Sequence, residues 1–248
     1  MKTHAANFVS SMTWDEVRQR LAAGATAILS IGAGAKQHGF HLPMNTDQIQ
    51  AEWFAAQIAA EFDAIVWPAM TYGFYPAFTD YAGSASLAEA TFESLVRDIV
   101  QGLVQCQPRA IFVLNTGIST IEPVERMLAN LGSGCKALHL KIYSGEHYRA
   151  AHVKLCRQPH GSHADEAETS IMLAIAPEVV DMSRARASPN LESRPQPGPL
   201  TPFDDRSPNY SPSGSFGDPA LATAEKGQIL AEAIMTDLRV AILEALRN

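Results

Sequence analysis

The chain has 248 residues, 46% of them hydrophobic, which suits one α/β domain with a full core. A formal net charge of −7 and the lack of a basic cluster argue against nucleic acid or an anionic membrane surface as a partner. Cys106, Cys135 and Cys156 form no C-x-x-C pair, the start up to Met12 is too polar for a signal peptide, and no apolar run reaches transmembrane length, so a cytoplasmic chain with reduced thiols is expected.

Thr13 is the expected N-cap of a first helix opening Trp14-Asp15-Glu16-Val17, with Glu16 placed for a capping box and the helix closing near Gly24. The apolar run Ala25 to Ile31 reads as a buried strand of a parallel sheet. It leads into Gly34-Ala35-Lys36-Gln37-His38-Gly39-Phe40-His41-Leu42-Pro43-Met44-Asn45-Thr46-Asp47. Ile49, Trp53, Ala56 and Ala60 then recur at helical spacing, which puts Asp47 in a first turn or at a cap. The stretch therefore lies just beyond a strand's carboxyl end, where open α/β sheets hold ligands. His38, His41 and Asp47 are raw material for a metal site. The residues alone equally allow both imidazoles to hydrogen-bond a tight turn, and Asp47 to serve as a helix-terminal carboxylate.

A second strand is expected at Ala64 to Trp67, closed by Pro68. The aromatic loop Tyr72 to Phe78 suits a pocket wall, a subunit contact or plain partial burial. A helix burying Phe92, Leu95, Ile99 and Leu103 precedes a third strand, Ala110 to Leu114, which runs into Asn115-Thr116-Gly117-Ile118-Ser119-Thr120 and a helix entered at Pro123. A fourth strand, Ala137 to Tyr143, carries His139, read as a core histidine. His163-Ala164-Asp165-Glu166-Ala167-Glu168-Thr169-Ser170 heads a helix through Ile175, where acidic residues suit the dipole. From about Ser183 to Asp218 the composition turns to Pro, Ser and Asn, with eight prolines between Pro189 and Pro219. This reads as a surface excursion, folded over the pocket or over a neighbouring subunit, before a last helix from Ala224 to Leu246. Gly32-Ala33-Gly34 completes no dinucleotide fingerprint, Gly34-Ala35-Lys36 no Walker loop, and there is no Gly-x-Ser-x-Gly elbow.

Several of these stretches resemble the creatininase (creatinine amidohydrolase) family in register and order. The family's signature typically runs Glu-Gln-His-Gly-Pro-His-Leu-Pro and, after two residues, Thr-Asp. Gln37-His38-Gly39, His41-Leu42-Pro43 and Thr46-Asp47 match it, but Lys36 stands in place of the metal-binding Glu. The family's third strand ends in Asn-Gly-His-Gly-Gly-Asn or a variant; Asn115 is kept, and Gly117 replaces the metal-binding His. His163 to Ser170 resembles His-Ala-Gly-Glu-x-Glu-Thr-Ser, with Asp165 for Gly as an uncertain extra carboxylate. Gly83-Ser84-Ala85-Ser86-Leu87 and Gly217-Asp218-Pro219 match further segments.

The resemblance covers nearly the whole chain. It implies a single domain over 1–248, a three-layer α/β/α sandwich on a mainly parallel sheet, and a homohexamer; strand–helix alternation agrees with the sandwich. It also implies metal-assisted cleavage of a C–N bond in a small polar amide or cyclic amide. His38, Asp47 and Glu168 remain to hold one divalent ion, zinc before manganese or iron. Lys36 and Gly117 remove the private ligands of a second ion, and Lys36 is expected to pair with Asp47. His163 is expected to carry protons, with Lys36 and Glu166 completing the catalytic set, and His41, Asn115 and Tyr75 to contact the small-molecule substrate. A catalytically silent scaffold that binds or assembles is the alternative function.

Overall fold

A computed structural model of the chain describes residues 7–132, 136–194 and 196–247. Helix α1 (Trp14–Ala22) opens with the reciprocal Thr13–Glu16 capping box, and Gly24, at φ +99°, turns the chain out of it. Strand β1 (Thr26–Ile31) is followed by α2 (Thr46–Glu61), β2 (Ala64–Val66), α3 (Glu89–Gln105), β3 (Ile111–Asn115) and α4 (Ile121–Ala129). The path continues through β4 (Ala137–Lys141), α5 (Glu146–Leu155), α6 (Glu166–Ile175) and α7 (Ala224–Arg247). The four strands pair in parallel in the order β2-β1-β3-β4. Every residue of the central strands β1 and β3 is buried, which is why both read as largely apolar runs, with Thr26, Ser30 and Asn115 the polar exceptions.

Successive side chains of a strand point to opposite faces, so the sheet carries two cores. On one face Ile28, Phe112, Leu114 and Leu140 meet Phe54 and Ile58 of α2, Ile171 of α6, and Ile234 and Leu238 of α7. On the other, Ala27, Leu29 and Val113 meet Phe92, Val96 and Val100 of α3 and Val124 and Met127 of α4. The expected α/β sandwich is thus the fold. Phe112 and Phe54 are fully buried, and truncating either to Ala would cost about 3–5 kcal/mol.

Two helices present a different face from the expected one. α2 buries Asp47, Gln50, Phe54 and Ile58, leaving Ile49, Trp53 and Ala56 half-buried and Ala60 exposed. Its inner face includes polar residues that a hydrophobic pattern passes over. α3 buries Phe92, Val96, Val100 and Leu103, while Leu95 is exposed. Leu95–Val96 and Ile99–Val100 are adjacent apolar pairs, so spacing alone could not choose between them. β4 ends at Lys141, before Tyr143, which leaves the sheet. α5 was not anticipated; Asp237 of α7 caps its start, accepting from the backbone N–H of His147 at 3.0 Å and of Tyr148 at 2.8 Å.

The Pro-rich stretch returns to the body of the domain. Gln37 Nε2 donates to the Gly214 carbonyl at 2.9 Å, and the Tyr81 hydroxyl to the Ser211 carbonyl at 2.6 Å. Ser211 and the run from Ser213 to Gly217 are buried, as are Leu200, Thr201 and Asn209, while Phe203 to Arg206 are exposed. His139 is half-buried and only half satisfied: Nε2 lies 3.2 Å from Asn115 Nδ2, Nδ1 has no hydrogen-bond partner, and burial, with Lys141 nearby, pushes its pKa down to about 4. Cys106 and Cys156 are free thiols, and Cys135 lies outside the described residues. Among the described residues no helix is long and apolar enough to cross a membrane.

Candidate metal centre

The carboxyl ends of β1 and β3 border a cavity of about 560 Å³. Lys36, Asp47, His163 and Glu168 line it, as do Phe74, Tyr75 and Phe78 from the loop after β2. Ile118, Arg149, and Leu200 and Phe216 from the returning Pro-rich stretch also form its wall. Asp47 reaches this place because residue 32 is glycine. A Cβ there would stand 2.4 Å from the Asp47 carbonyl oxygen, so glycine lets the first turn of α2 close onto the end of β1.

Two imidazoles are held with defined tautomers. His38 Nδ1 lies 2.9 Å from the Lys36 carbonyl, which can only accept, so Nδ1 carries a proton, and in the neutral ring the lone pair is on Nε2. That Nε2 is buried without a hydrogen-bond partner, 3.3 Å from Asp47 Oδ1 and 3.8 Å from Glu168 Oε1. His163 is arranged the other way round. Its Nε2 donates to the Gln37 carbonyl at 2.7 Å, and Nδ1 faces Glu168 Oε2 at 3.9 Å. Burial, reinforced by His38 and Lys36, pushes the His163 pKa well below the ordinary value and keeps the ring neutral.

Glu168 is fixed from behind. The Ala164 N–H donates to Oε2 at 2.7 Å and Gln50 Nε2 to Oε1 at 3.2 Å, while the Tyr143 hydroxyl bonds Gln50 Oε1. Ligating atoms of His38, His163 and Glu168 all lie within 4.8 Å of one another. A tetrahedral ion with bonds of about 2.0–2.1 Å needs its ligand atoms about 3.4 Å apart, so modest side-chain movement would close the set. Leaving a buried polar atom unpaired costs about 1–3 kcal/mol. His38 Nε2 is such an atom, and with His163 Nδ1 and the Glu168 carboxylate it forms a donor set that suits a divalent ion, so these residues fit one.

Beside this cluster, Lys36 Nζ lies 2.5 Å from Asp47 Oδ2 and 4.9 Å from the centre of the Phe78 ring. The expected Lys36–Asp47 pair therefore forms, buried and not directed to solvent. Burial alone would raise the Asp47 pKa, but the Lys36 ammonium and the His38 ring outweigh it and hold the carboxyl well below the usual range.

The creatininase family model, described as creatinine amidohydrolase, matches residues 10–242. The chain belongs to the creatininase family. A creatinine amidohydrolase of Pseudomonas putida is 27% identical, the match covering 96% of each chain. A mycofactocin precursor peptide peptidase of Mycolicibacterium smegmatis is 28% identical over 80% of this chain and 77% of the relative. A solved creatininase described with manganese superposes with a TM-score of 0.80 at 26% identity, covering 96% of this chain and 98% of that one. A creatininase variant described as Zn–Zn type gives 0.77 at 26% identity, with 96% and 97% covered.

Of the residues expected from the creatininase pattern, Lys36, Asp47, His163, Glu168 and Tyr75 line the cavity, and His38 lies directly behind it. Tyr75 is held by its hydroxyl, which donates to the Ala85 carbonyl at 2.7 Å. Glu166 is not brought there. Its Oε2 accepts from the backbone N–H of Arg157 and Gln158 at 2.7 and 3.0 Å, and Lys226 Nζ lies 2.5 Å from Oε1. Residues two apart on a helix point about 200° away from each other, so Glu166 and Glu168 could not both face the cavity.

His41 and Asn115 are also absent from the wall. His41 Nε2 is 2.8 Å from the Thr169 hydroxyl, and burial, with His38 adding, pushes its pKa down to about 4. Asn115 Oδ1 accepts from Gly117 N–H at 2.9 Å and Thr120 Oγ1 at 2.8 Å, shaping the loop after β3. It lines a separate smaller cavity instead. Asp165 caps α6, accepting from Glu168 N–H at 3.0 Å and Gln158 Nε2 at 2.7 Å. Sequence reasoning missed Gln50, Tyr143 and Arg149. Gln50 alone left a trace, one helical turn beyond Asp47 and so on the same face.

Proposed function

We propose that this creatininase-family chain is a metal-dependent hydrolase that cleaves the C–N bond of an amide or cyclic amide at a centre with one divalent ion, zinc before manganese or iron. The observation that carries the reading is the buried, unpaired His38 Nε2, with ligating atoms of His163 and Glu168 within 4.8 Å of it and of each other. These three side chains would hold the ion, with Asp47 Oδ1 beside them. A dication there supplies Lewis-acid polarisation of a carbonyl and acidifies water. Lys36 does two things on this reading. It keeps Asp47 ionised, and its Nζ, on the cavity wall, gives a proton to the leaving nitrogen. The C–N bond breaks as the water oxygen joins the carbonyl carbon, and the proton that water loses replenishes Lys36. His163, neutral and with Nε2–H engaged by Gln37, serves better as a ligand than as a proton donor. A cytoplasmic homohexamer belongs to the same reading, on family resemblance.

A second reading, a catalytically silent scaffold, is favoured by the loss of two family ligands at Lys36 and Gly117. One experiment separates the two. Metal content by mass spectrometry is measured on wild type and His38→Ala, with hydrolysis of lactams, cyclic ureas, formamides and creatinine followed by chromatography of the products. About one ion per chain and turnover, both lost in His38→Ala, is the expected result. Wild type that stays metal-free and inert after supplementation points to the scaffold.

A further inference from the structure

The cavity itself narrows the substrate, an inference that rests on the hydrolase reading. Sequence and resemblance point to a small polar amide, yet the space is large and its walls are mostly apolar. About 560 Å³ falls in the range that holds drug-sized ligands. Phe74, Phe78, Ile118, Leu200 and Phe216 border it, a surface that rewards an apolar group beside the polar residues of the wall. The wall also includes Arg149 from α5. Its guanidinium donates to the Ser144 carbonyl and makes no ion pair among the described residues. Arg149 is exposed where it lines the cavity, so an anion can reach its guanidinium from solvent without displacing a carboxylate. Its planar fork suits a carboxylate.

We propose that the cavity takes a peptide-like amide bearing an apolar side chain and a free carboxylate, with the side chain against the aromatic wall and the carboxylate on Arg149. Arg149 and the apolar wall would then determine specificity, while the cluster around His38 does the chemistry.

Calorimetric titration of zinc-loaded protein tests this, with metal content measured on the same samples. The probes are N-acetyl-alanyl-phenylalanine, its C-terminal amide, and N-acetyl-alanyl-glycine. The phenylalanine acid should bind at least about tenfold tighter than either of the others, the size of one good charged contact or one buried apolar side chain. Arg149→Gln should abolish the preference for acid over amide and leave the affinity for the amide unchanged. The proposal is overturned if acid and amide bind wild type equally, if Arg149→Gln keeps the preference, if the glycine probe binds as well, or if no probe binds. Protein that holds no zinc but keeps the acid preference would sink the hydrolase reading alone. Zinc-loaded protein without the preference would sink the anion subsite alone.

Discussion

Replacing Lys36 by Met keeps the reach of the side chain and removes the ammonium facing Asp47. The two charges are 2.5 Å apart, with side chains only 8% and 3% exposed. An exposed pair would be worth about 0–1 kcal/mol, but deleting one partner of a buried pair strands the other and costs about 3–5 kcal/mol. In a chain of this size 1 kcal/mol moves Tm by about 2–4 °C, so metal-free Lys36→Met should melt about 6–20 °C below wild type at pH 7. The pH dependence has a definite sign. In wild type the Asp47 pKa is depressed below its ordinary value of about 3.9, so the contribution is complete above about pH 4 and fades only as pH falls through the depressed value. In the variant burial dominates and the pKa rises. The unfolded carboxyl then ionises while the folded one resists, and stability falls by about 1.4 kcal/mol per pH unit above about pH 4 until the raised pKa is passed. Lys36→Met with Asp47→Asn strands no charge and should regain most of the lost Tm. Scanning calorimetry in chelator from pH 4 to 7 measures all three proteins. The reasoning fails if the deficit at pH 7 is below about 2 °C, less than 1 kcal/mol, if the gap does not widen with pH, or if the double variant is no better than the single.

Native protein should bind at most one tight divalent ion per chain by mass spectrometry, and Lys36→Glu alone should add none. Lys36→Glu with Gly117→His should bind a second; Gly117 has no positive φ, but its Cβ would lie 2.7 Å from Thr120 Oγ1, so Thr120→Ala should accompany the pair. Gln50→Leu, which frees Glu168 Oε1 and the Tyr143 hydroxyl, should weaken zinc binding about 10–100-fold in a chelator competition. Glu166→Gln should lower Tm by weakening the Lys226 contact and leave metal content unchanged, whereas Glu168→Gln should lower metal content.

What could be read in advance followed from how local each signal is. β1 and β3 announce themselves because both faces of a central parallel strand are buried. The pairing of Lys36 with Asp47 followed from charge logic within one loop. The inner face of α2 did not, since Gln50 is buried through bonds to Glu168 and Tyr143 that the fold brings from elsewhere in the chain. Glu166 illustrates a different failure. A motif names two carboxylates, but helical geometry lets only one of them face the cavity. The apolar wall was hidden for a third reason. Leu200 and Phe216 sit in a segment whose composition cannot form a core of its own, and they are buried only by folding back over the rest.

The two departures from the creatininase pattern make physical sense together. On the one-ion proposal, a dication missing beside the buried carboxylate of Asp47 would leave it with one charge too few nearby. An apolar residue at position 36 would strand that charge at a cost of about 3–5 kcal/mol. Lysine removes the problem, but it also occupies Asp47 Oδ2, leaving Oδ1 as the oxygen turned to His38. With Asp47 Oδ2 engaged, the donor set of the proposed one-ion centre would shift toward the side where His163 Nδ1 and Glu168 meet His38 Nε2. That shift has a consequence for proton transfer. A neutral His163 whose Nε2–H is held by the Gln37 carbonyl has no proton to give at Nδ1, so the acid must come from another residue. On the proposed mechanism Lys36 fills that role, because it lies on the cavity wall and carries protons beyond the one directed at Asp47. On that proposal the residue standing where the family pattern has a metal ligand would also be the proton donor of the centre.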